Sequence, residues 1–331
     1  MLNKAHPAAS RTIRSISNRQ AACYAPEHLR GMPGHPDEAC PVSIIHHMKH
    51  FIITRFNLKL WPHDKNRRLT RTDEWVKERF RLFETWCLPS IAAQTVKDFT
   101  WVLLFDRQTP AEEVEKVKAY QRLCPQIRAL GVDCKENLHL DFKYTISEIA
   151  TKLTQDSGEE DLVLTTYLDS DDALREDYVE KVQEVARRCK PNTFISFKNG
   201  VQLFEQLNIA FHLVYPENHF ISYLESAKGN VNSVYLWSHV DINKHPDCEV
   251  IFIDEKPMWM EVVHGINVDN DIYLIKKTKL ITQQDVLGPF GLKHLLSAHP
   301  RRTYFTSYIP RFFRQVVRRI NYKLTGRHFW D

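Results

Sequence analysis

Three aspartates lie close together in the segment 168–172: Asp169, Asp171 and Asp172. They follow the apolar run 161–168, so they come where a buried strand is expected to end. Carboxylates this close repel one another, and the cluster therefore needs a cation or access to water. Mg²⁺ is typically held by one or two carboxylates together with substrate phosphates. The first interpretation is thus a divalent-cation site that faces a diphosphate.

Three other interpretations compete with this one. An EF-hand calcium loop fails because its sixth position, where glycine is required, is Leu174. A phosphatase or phosphotransferase with an aspartyl nucleophile stays open, although by analogy such a motif follows the first strand of its fold. A helix cap accounts for Asp172 ahead of a helix that begins near Ala173, and leaves the other two aspartates unexplained.

The segments before the cluster alternate between strand-like and helix-like patterns. Strands are predicted over 49–56, 99–105 and 161–169, and helices over 72–89, 109–124, 144–156 and 174–189. The first helix is expected to begin near Thr72 and to end at Pro89. This alternation predicts an α/β fold with a mostly parallel, Rossmann-like sheet flanked by helices. Ligands of such sheets lie beyond the carboxyl ends of the strands, where the aspartates are expected.

The second half of the chain has a different pattern. Asn199–Gly200 lies between strand-like runs and indicates a hairpin turn. Short β-like runs follow at 234–239, 249–254 and 257–265. We expect them to form a mixed or antiparallel β extension of the sheet.

Charge and composition divide the chain into three parts. Six Lys/Arg and three Asp/Glu give 1–50 a charge of +3, and eight Lys/Arg and one Asp give 301–331 a charge of +7. The total is +4, so the middle carries −6, which argues against a nucleic-acid-binding core. Residues 1–47 lack a hydrophobic period and are predicted to be a disordered tail before a domain over 48–300.

The segment 301–331 is a basic tail with an amphipathic pattern. Six apolar residues recur at helical spacing: Phe312, Phe313, Val316, Val317, Ile320 and Leu324. Arg and Lys occupy the flanks, which is typical of a helix that lies in an anionic membrane surface. A packed terminal helix with a solvated basic face is the alternative.

Cysteine content and hydropathy bear on location. The seven cysteines form no CxxC pair, which indicates free thiols in a reducing cytoplasm. No apolar run of 18 residues occurs, so no membrane-spanning helix is predicted. We expect a cytoplasmic protein, peripheral at the inner face of the plasma membrane.

Five segments carry a resemblance to a known family. They are HFIITRFNLKLW, EWVKERFRLFETWCLPSIAAQT, FTWVLLFDRQTP, TTYLDSDDALREDYVEKV and MWMEVVHGINVDND, in this order over about 50–270. Together they resemble the bacterial rhamnosyltransferase family, whose members are nucleotide-sugar-dependent glycosyltransferases of the GT-A fold. The resemblance implies transfer of a sugar from a nucleoside diphosphate, assisted by Mn²⁺ or Mg²⁺ at a DxD-type motif.

The same resemblance implies roles for the aspartates. Asp171 would bind the ion, and Asp169 would approach both the ion and the ribose. Asp172 could join either contact. His264, which ends a strand-like run, would complete the metal site. A histidine satisfied in a turn or in the core is the alternative for His264.

The donor would be bound by residues that precede the motif. Arg79 lies on the apolar face of the first helix, and a buried guanidinium needs an anionic partner, either a structural carboxylate or the donor diphosphate. Arg55 and Thr54 follow the first strand and are further candidates. Asp106, after the second strand, would accept from the base or ribose, or would form a turn ahead of Pro110.

A general base is not assigned by the sequence. The candidates are Asp241, Asp254, Glu255 and Glu261, and strand alternation counts against Glu261. The acceptor is expected to be a glycan or a lipid-linked sugar in polysaccharide assembly. A non-catalytic scaffold that binds sugar nucleotides is the alternative from another class.

Overall fold

The fold is described from a computed structural model of the chain. The described residues are 15–17, 47–58, 60, 62–63, 69–70, 72–134, 138–158, 161–267 and 277–325. Most of the tail expected over 1–47 lies outside this range, so its disorder stays a prediction. Within the described residues, no helix is long and apolar enough to cross a membrane.

Thirteen strands are formed by the described residues. They are β1 (Ser15–Ser17), β2 (Met48–Arg55), β3 (Thr100–Asp106), β4 (Ile127–Val132), β5 (Leu162–Tyr167), β6 (Ala173–Leu174), β7 (Thr193–Phe197), β8 (Asn199–Phe204), β9 (Ile209–Val214), β10 (Ser222–Ser226), β11 (Glu249–Asp254), β12 (Trp259–Val263) and β13 (Lys277–Leu280).

Seven α-helices accompany the strands in the same part of the chain. They are α1 (Asp73–Leu82), α2 (Leu88–Ala92), α3 (Ala111–Leu123), α4 (Leu138–Gln155), α5 (Tyr178–Ala186), α6 (Pro300–Thr303) and α7 (Ile309–Thr325). One π-helical turn, Phe83–Cys87, joins α1 to α2, and another, Tyr304–Tyr308, joins α6 to α7.

The strands make two sheets. The first has the order β1-β11-β7-β10-β5-β2-β3-β4, in which β5, β2, β3 and β4 are mutually parallel and β10 is antiparallel to both of its neighbours. The second has the order β13-β9-β8-β12-β6, with only β8 and β12 parallel. The α/β fold with a parallel first half and a mixed extension is confirmed.

Both faces of the first sheet are covered by helices. Alternation along β2 sends Ile52 to one face and Phe51 and Ile53 to the other. Ile52 packs in a core with residues of α1, α3 and α5, whereas Phe51 and Ile53 pack in a core with residues of α4. The parallel strands are therefore rigidly held, and their carboxyl ends form a fixed edge.

The sequence pattern predicts that the first helix ends at Pro89, and this prediction is wrong. Thr72 caps α1 as expected, since its hydroxyl accepts a hydrogen bond from the Trp75 amide at 3.2 Å. The chain then passes through the π turn and continues as α2 to Ala92. Pro89 lies just after the π turn, and that turn shifts the backbone hydrogen-bond pattern where Pro89 has no N–H to donate.

Asn199–Gly200 is not a hairpin turn, and this prediction was wrong. The pair begins β8, at the point where the chain passes from β7 in the first sheet to the second sheet. A Cβ on Gly200 would lie 2.2 Å from the Trp259 ring, so glycine is required by packing. The hairpin between β8 and β9 turns instead at Asn208, which has a left-handed φ of 50°.

The β-like run 234–239 also differs from the prediction. It contains no strand and follows an irregular path past β5. The Val234 amide donates to the Thr165 hydroxyl at 2.8 Å, and the Tyr235 hydroxyl donates to the Ile53 carbonyl at 2.9 Å. Its apolar residues pack on the sheet without pairing with it, so composition alone misled the prediction.

Candidate active site

A cavity of about 630 Å³ lies at the carboxyl ends of β2 and β5. Its charged and polar wall includes Arg55, Arg79, Asp169, Asp171 and His219, and its apolar wall includes Phe56, Leu58 and Trp75. The sequence pattern placed a ligand at this edge, and the aspartate segment follows β5 directly. The cavity combines paired charges with an apolar surface.

Asp171 is neutralised by two partners from distant parts of the chain. Arg79 donates to its carboxylate at 2.8 and 3.3 Å, and His264 contacts it at 2.6 Å. Burial alone would raise the pKa of Asp171, but the charge of Arg79 and the hydrogen bond from His264 hold that pKa well below its usual range. Asp171 is therefore ionised, and a structural carboxylate is the partner of Arg79.

Both ring nitrogens of His264 are engaged. The Ile266 amide donates to Nδ1 at 3.2 Å, which leaves the ring proton on Nε2, where it faces Asp171. Nε2 of His264 is thus bonded to Asp171, as Nε2 of His219 is to Asp172. The structure brings His264 beside Asp171 as expected, and its role as a metal ligand stays a prediction.

Asp169 has a different environment from Asp171. It pairs with Arg55 at 3.0 Å and accepts from the Tyr167 hydroxyl at 3.1 Å. The Arg55 guanidinium lies 5.0 Å from the Tyr167 ring centroid and 5.5 Å from that of Tyr235, within cation–π range. About a quarter of the Asp169 side chain remains exposed, so it is open to a ligand.

Asp172 does not cap a helix, because α5 begins at Tyr178 with Asp177 before it. One carboxylate oxygen of Asp172 accepts from the Val262 amide at 2.8 Å, and the other lies 3.0 Å from Nε2 of His219. Burial raises the pKa of Asp172 to about 8. Burial lowers the pKa of His219, but the hydrogen bond and charge of Asp172 outweigh it and raise that pKa.

Three side chains offer the geometry of a metal site. The ligand atoms of Asp169, Asp172 and His219 all lie within 4.8 Å of one another. Two carboxylates and an imidazole are a suitable donor set for a divalent ion, so the residues present fit such a group. This set shares only Asp169 with the predicted set of Asp169, Asp171 and His264.

Three of the predicted donor-binding residues, Thr54, Asp106 and Asp172, lie outside the cavity wall. Thr54 is buried, and its hydroxyl accepts from the Trp101 indole at 2.9 Å. Asp106 is buried and accepts from the Gln108 amide at 3.0 Å, in the turn that was its alternative interpretation. Arg55, Arg79 and Asp169 line the cavity, as expected for donor-binding residues.

None of the four general-base candidates lines the cavity. Asp241 pairs with Lys244 and Asp254 with Lys198, and the buried Glu261 accepts from Gln202 at 2.8 Å. Glu255 is likewise absent from the cavity wall.

The comparison with protein families identifies the chain. A family model described as "Putative rhamnosyl transferase" matches residues 51–274, more than half of the sequence. The chain belongs to this family. The match includes every cavity residue described above, and it confirms the resemblance found from the five sequence segments. A comparison with curated proteins gives no match.

Solved structures that are similar to this family member are distant. S. aureus TarS 1–349 in complex with UDP is 10% identical with a TM-score of 0.37, over 65% of this chain and 61% of that chain. A "putative nucleotide-diphospho-sugar transferase" from Desulfovibrio desulfuricans G20 is 13% identical with a TM-score of 0.35, over 64% and 81%. The chain therefore spans less than two thirds of the TarS fragment, and similarity at this level carries no conclusion about activity.

Sequence reasoning missed His219 and His239 in this family member. Both line the cavity, and Nδ1 of His239 donates to the Glu217 carbonyl. His219 lies shortly before β10, whose antiparallel pairing with β5 brings its first residue, Ser222, opposite Thr166. Recognising that pairing would have placed His219 at the aspartates, but the sequence carries no signal of strand direction there.

Proposed function

We propose that the protein is a glycosyltransferase that moves a sugar, rhamnose in the first instance, from a nucleoside diphosphate to an acceptor hydroxyl. The observation that carries the proposal is the convergence of Asp169, Asp172 and His219 beside a cavity that also holds two arginines. Family membership supports the same class of reaction. Transfer breaks the bond between the anomeric carbon and the phosphate oxygen and forms one to the acceptor oxygen, which loses its proton.

The charge of the site supports a divalent cation. The Arg55 guanidinium is paired with Asp169 and the Arg79 guanidinium with Asp171, and Asp172 is buried beside His219. A diphosphate brought into this cavity would find no unbalanced positive charge among these groups. An ion held by Asp169, Asp172 and His219 would supply it and would neutralise the charge that develops on the leaving diphosphate.

Mn²⁺ is the proposed ion ahead of Mg²⁺. Carboxylates suit both ions, but the imidazole of His219 is a ligand typical of transition metals. Mg²⁺ prefers an all-oxygen shell that retains several waters. The set of two carboxylates and one nitrogen therefore favours Mn²⁺.

Different side chains of the cavity would bind different parts of the donor. Arg55 and Arg79 lie where the diphosphate would enter, and each keeps its aspartate in place. Phe56, Leu58 and Trp75 provide an apolar wall for the base or the sugar. The proposed acceptor is a glycan or lipid-linked sugar in polysaccharide assembly, with the enzyme at the cytoplasmic face of the membrane.

Donor hydrolysis tests this proposal. We expect release of nucleoside diphosphate from one of a panel of dTDP-, UDP- and GDP-sugars in Mn²⁺, and its loss in EDTA. His219→Ala should lower the rate by at least about 100-fold. His299→Ala, at an exposed histidine away from the cavity, is the matched control and should leave it unchanged.

Three results would contradict the proposal. Equal hydrolysis by the His219→Ala variant would remove His219 from the site. Binding of nucleoside diphosphate without turnover of any donor, even with acceptor glycans added, would favour the non-catalytic scaffold. An acid-stable phosphate trapped on an aspartate would favour a phosphatase.

A further inference from the structure

The apolar surface of the C-terminal helix α7 has a packed part and an exposed part. Phe312 of α7 and Tyr308 of the π turn before it pack on the second sheet, in a core that includes Phe204, Phe211 and Val263. The aromatic rings of Tyr308 and Phe211 lie 4.7 Å apart. These contacts fix the start of α7 on the second sheet.

The exposed part is a stripe of apolar side chains. Phe313, Val317, Ile320 and Leu324 are 60%, 54%, 53% and 80% exposed. At 100° per residue these four positions fall within an arc of about 60°, so they form one continuous line along the helix. We call these four residues the exposed stripe. In the described residues it is not covered by any other element of the chain, and such patches mark interaction sites.

Positive charge accompanies the exposed stripe. Arg314 and Arg318 are exposed and lie about 90° to 130° round the helix from its centre, between the stripe and Arg311. From Arg301 to Trp330 the sequence contains eight Lys/Arg and no Asp or Glu. An apolar line beside cations, in a segment without acidic residues, complements a surface that is apolar beneath and anionic above.

We propose that the exposed stripe docks the protein on an anionic lipid bilayer, with α7 lying in the plane of the membrane surface. Phe313, Val317, Ile320 and Leu324 enter the boundary between headgroups and acyl chains. Arg314 and Arg318 contact the lipid phosphates. A protein partner would need an acidic rim around an apolar groove, whereas an anionic membrane supplies both features without a specific sequence. The inference rests on α7 and is independent of the proposed transfer reaction.

Vesicle co-sedimentation of the full chain tests this inference. We expect binding to vesicles of phosphatidylcholine with phosphatidylglycerol to exceed binding to phosphatidylcholine alone by at least about tenfold. Replacing all four residues of the exposed stripe by glutamine should reduce that binding to the level seen with phosphatidylcholine. Raising the salt to about 0.5 M should weaken the binding of the wild type, because salt screens the arginines.

A matched variant controls for the loss of exposed apolar surface. Leu123, Val240 and Leu295 are 69%, 50% and 58% exposed at other places, and their replacement by glutamine should leave vesicle binding unchanged. Both variants change only exposed side chains, so both should keep the melting temperature of the wild type.

Donor hydrolysis in solution should be the same for the variant of the exposed stripe as for the wild type, which separates this inference from the proposed function. Undiminished vesicle binding by that variant would overturn the inference. Equal binding to vesicles with and without phosphatidylglycerol would overturn it as well. So would a dimer that dissociates in that variant while the wild type ignores vesicles, since the occupant would then be a second copy of the chain.

Discussion

The three neighbouring aspartates have different electrostatic environments. Asp171 is buried and fixed by Arg79, whereas Asp169 is partly exposed. Asp172 is buried beside His219. Repulsion among the carboxylates is therefore relieved by a separate partner for each. Of the three, Asp171 is the most fully satisfied by the protein, which makes it a structural member of the site.

Arg79→Ala should destabilise the protein by about 3–5 kcal/mol, because it leaves the buried Asp171 without its cation. Urea unfolding measures the loss. Arg107→Ala is the matched control, since Arg107 pairs with Asp133 in an ion pair that is about two thirds exposed. That pair should contribute at most about 1 kcal/mol. Equal losses in the two variants would contradict the account of Asp171.

His219→Ala should weaken Mn²⁺ binding much more than His264→Ala does. His219 offers a ligand atom, so its loss should weaken Mn²⁺ binding by at least about 10-fold. His264 is engaged at both ring nitrogens and should change the affinity by less than about threefold. Titration of Mn²⁺ by electron paramagnetic resonance measures both. The reverse order would restore the ligand set expected from sequence.

The sequence predicted some of the individual residues of the site. The apolar face of the first helix correctly indicated that Arg79 is buried with an anionic partner, and His264 lies beside Asp171 as expected. His219 could not be found, because it lies in an irregular segment with neither periodicity nor a motif. Its position depends on the direction of β10, which is set by packing across the whole sheet.

The strands and helices that build the site were predicted where hydrophobic residues recur with a clear strand or helix period. The strand before the aspartates and helix α3 follow from hydrophobic pattern. Helix α4 begins six residues before the predicted 144, and α5 begins at Tyr178 because Leu174, predicted as helix, lies in β6. The pattern failed at Pro89 and at Gly200. In both places a local signal for a break was overridden, by a π turn at Pro89 and by the packing of an indole on Gly200.

Gly200→Ala should destabilise the protein by at least about 1–3 kcal/mol, because the new methyl group would lie 2.2 Å from the Trp259 ring. Thermal unfolding measures the effect. Gly288→Ala is the matched control, since a Cβ there meets nothing within 4 Å and its φ is not left-handed. A Gly200→Ala variant as stable as the Gly288→Ala variant would show that the indole moves freely.

His50, in β2, should make stability depend on pH. Burial lowers its pKa from 6.5 to about 3, so below pH 6.5 the unfolded chain binds a proton that the folded chain does not. Protonation of His50 in the unfolded chain therefore lowers the free energy of unfolding as the pH falls below 6.5. The loss is about 2 kcal/mol between pH 7 and pH 5.

Urea unfolding of His50→Gln at the two pH values measures this contribution. The variant should lose about 2 kcal/mol less than the wild type on acidification, whatever its stability at pH 7. His299→Gln, at an exposed position, should lose as much as the wild type. An unchanged pH dependence in His50→Gln would mean that His50 is protonated within the fold.

At the scale of the whole molecule, the site lies where the chain passes from one sheet to the other. Strand β5 of the first sheet ends just before Asp169, and strand β6 of the second sheet begins just after Asp172. The Val262 amide of β12 holds Asp172 across this junction. A ligand bound to the aspartates would therefore stabilise the contact between the two sheets.

The division into two sheets was not predictable from the pattern of elements. The sequence indicated a mixed extension of one sheet, and β7, β10 and β11 do extend it. Strands β8, β9, β12 and β13 form the second sheet with β6. The chain leaves the first sheet after β7 and enters the second at Gly200, which packs against Trp259. Such a choice depends on contacts between segments about 60 residues apart, which periodicity does not report.

The central claim is that Asp169, Asp172 and His219 hold a divalent ion that recruits a nucleoside diphosphate. The most direct test is thermal unfolding of the wild type with Mn²⁺, with dTDP, UDP or GDP, and with both together. One of the diphosphates should raise the melting temperature strongly only when Mn²⁺ is present, and His219→Ala should abolish that joint effect. Equal stabilisation by the diphosphate in EDTA, or a joint effect that survives in His219→Ala, would contradict the claim.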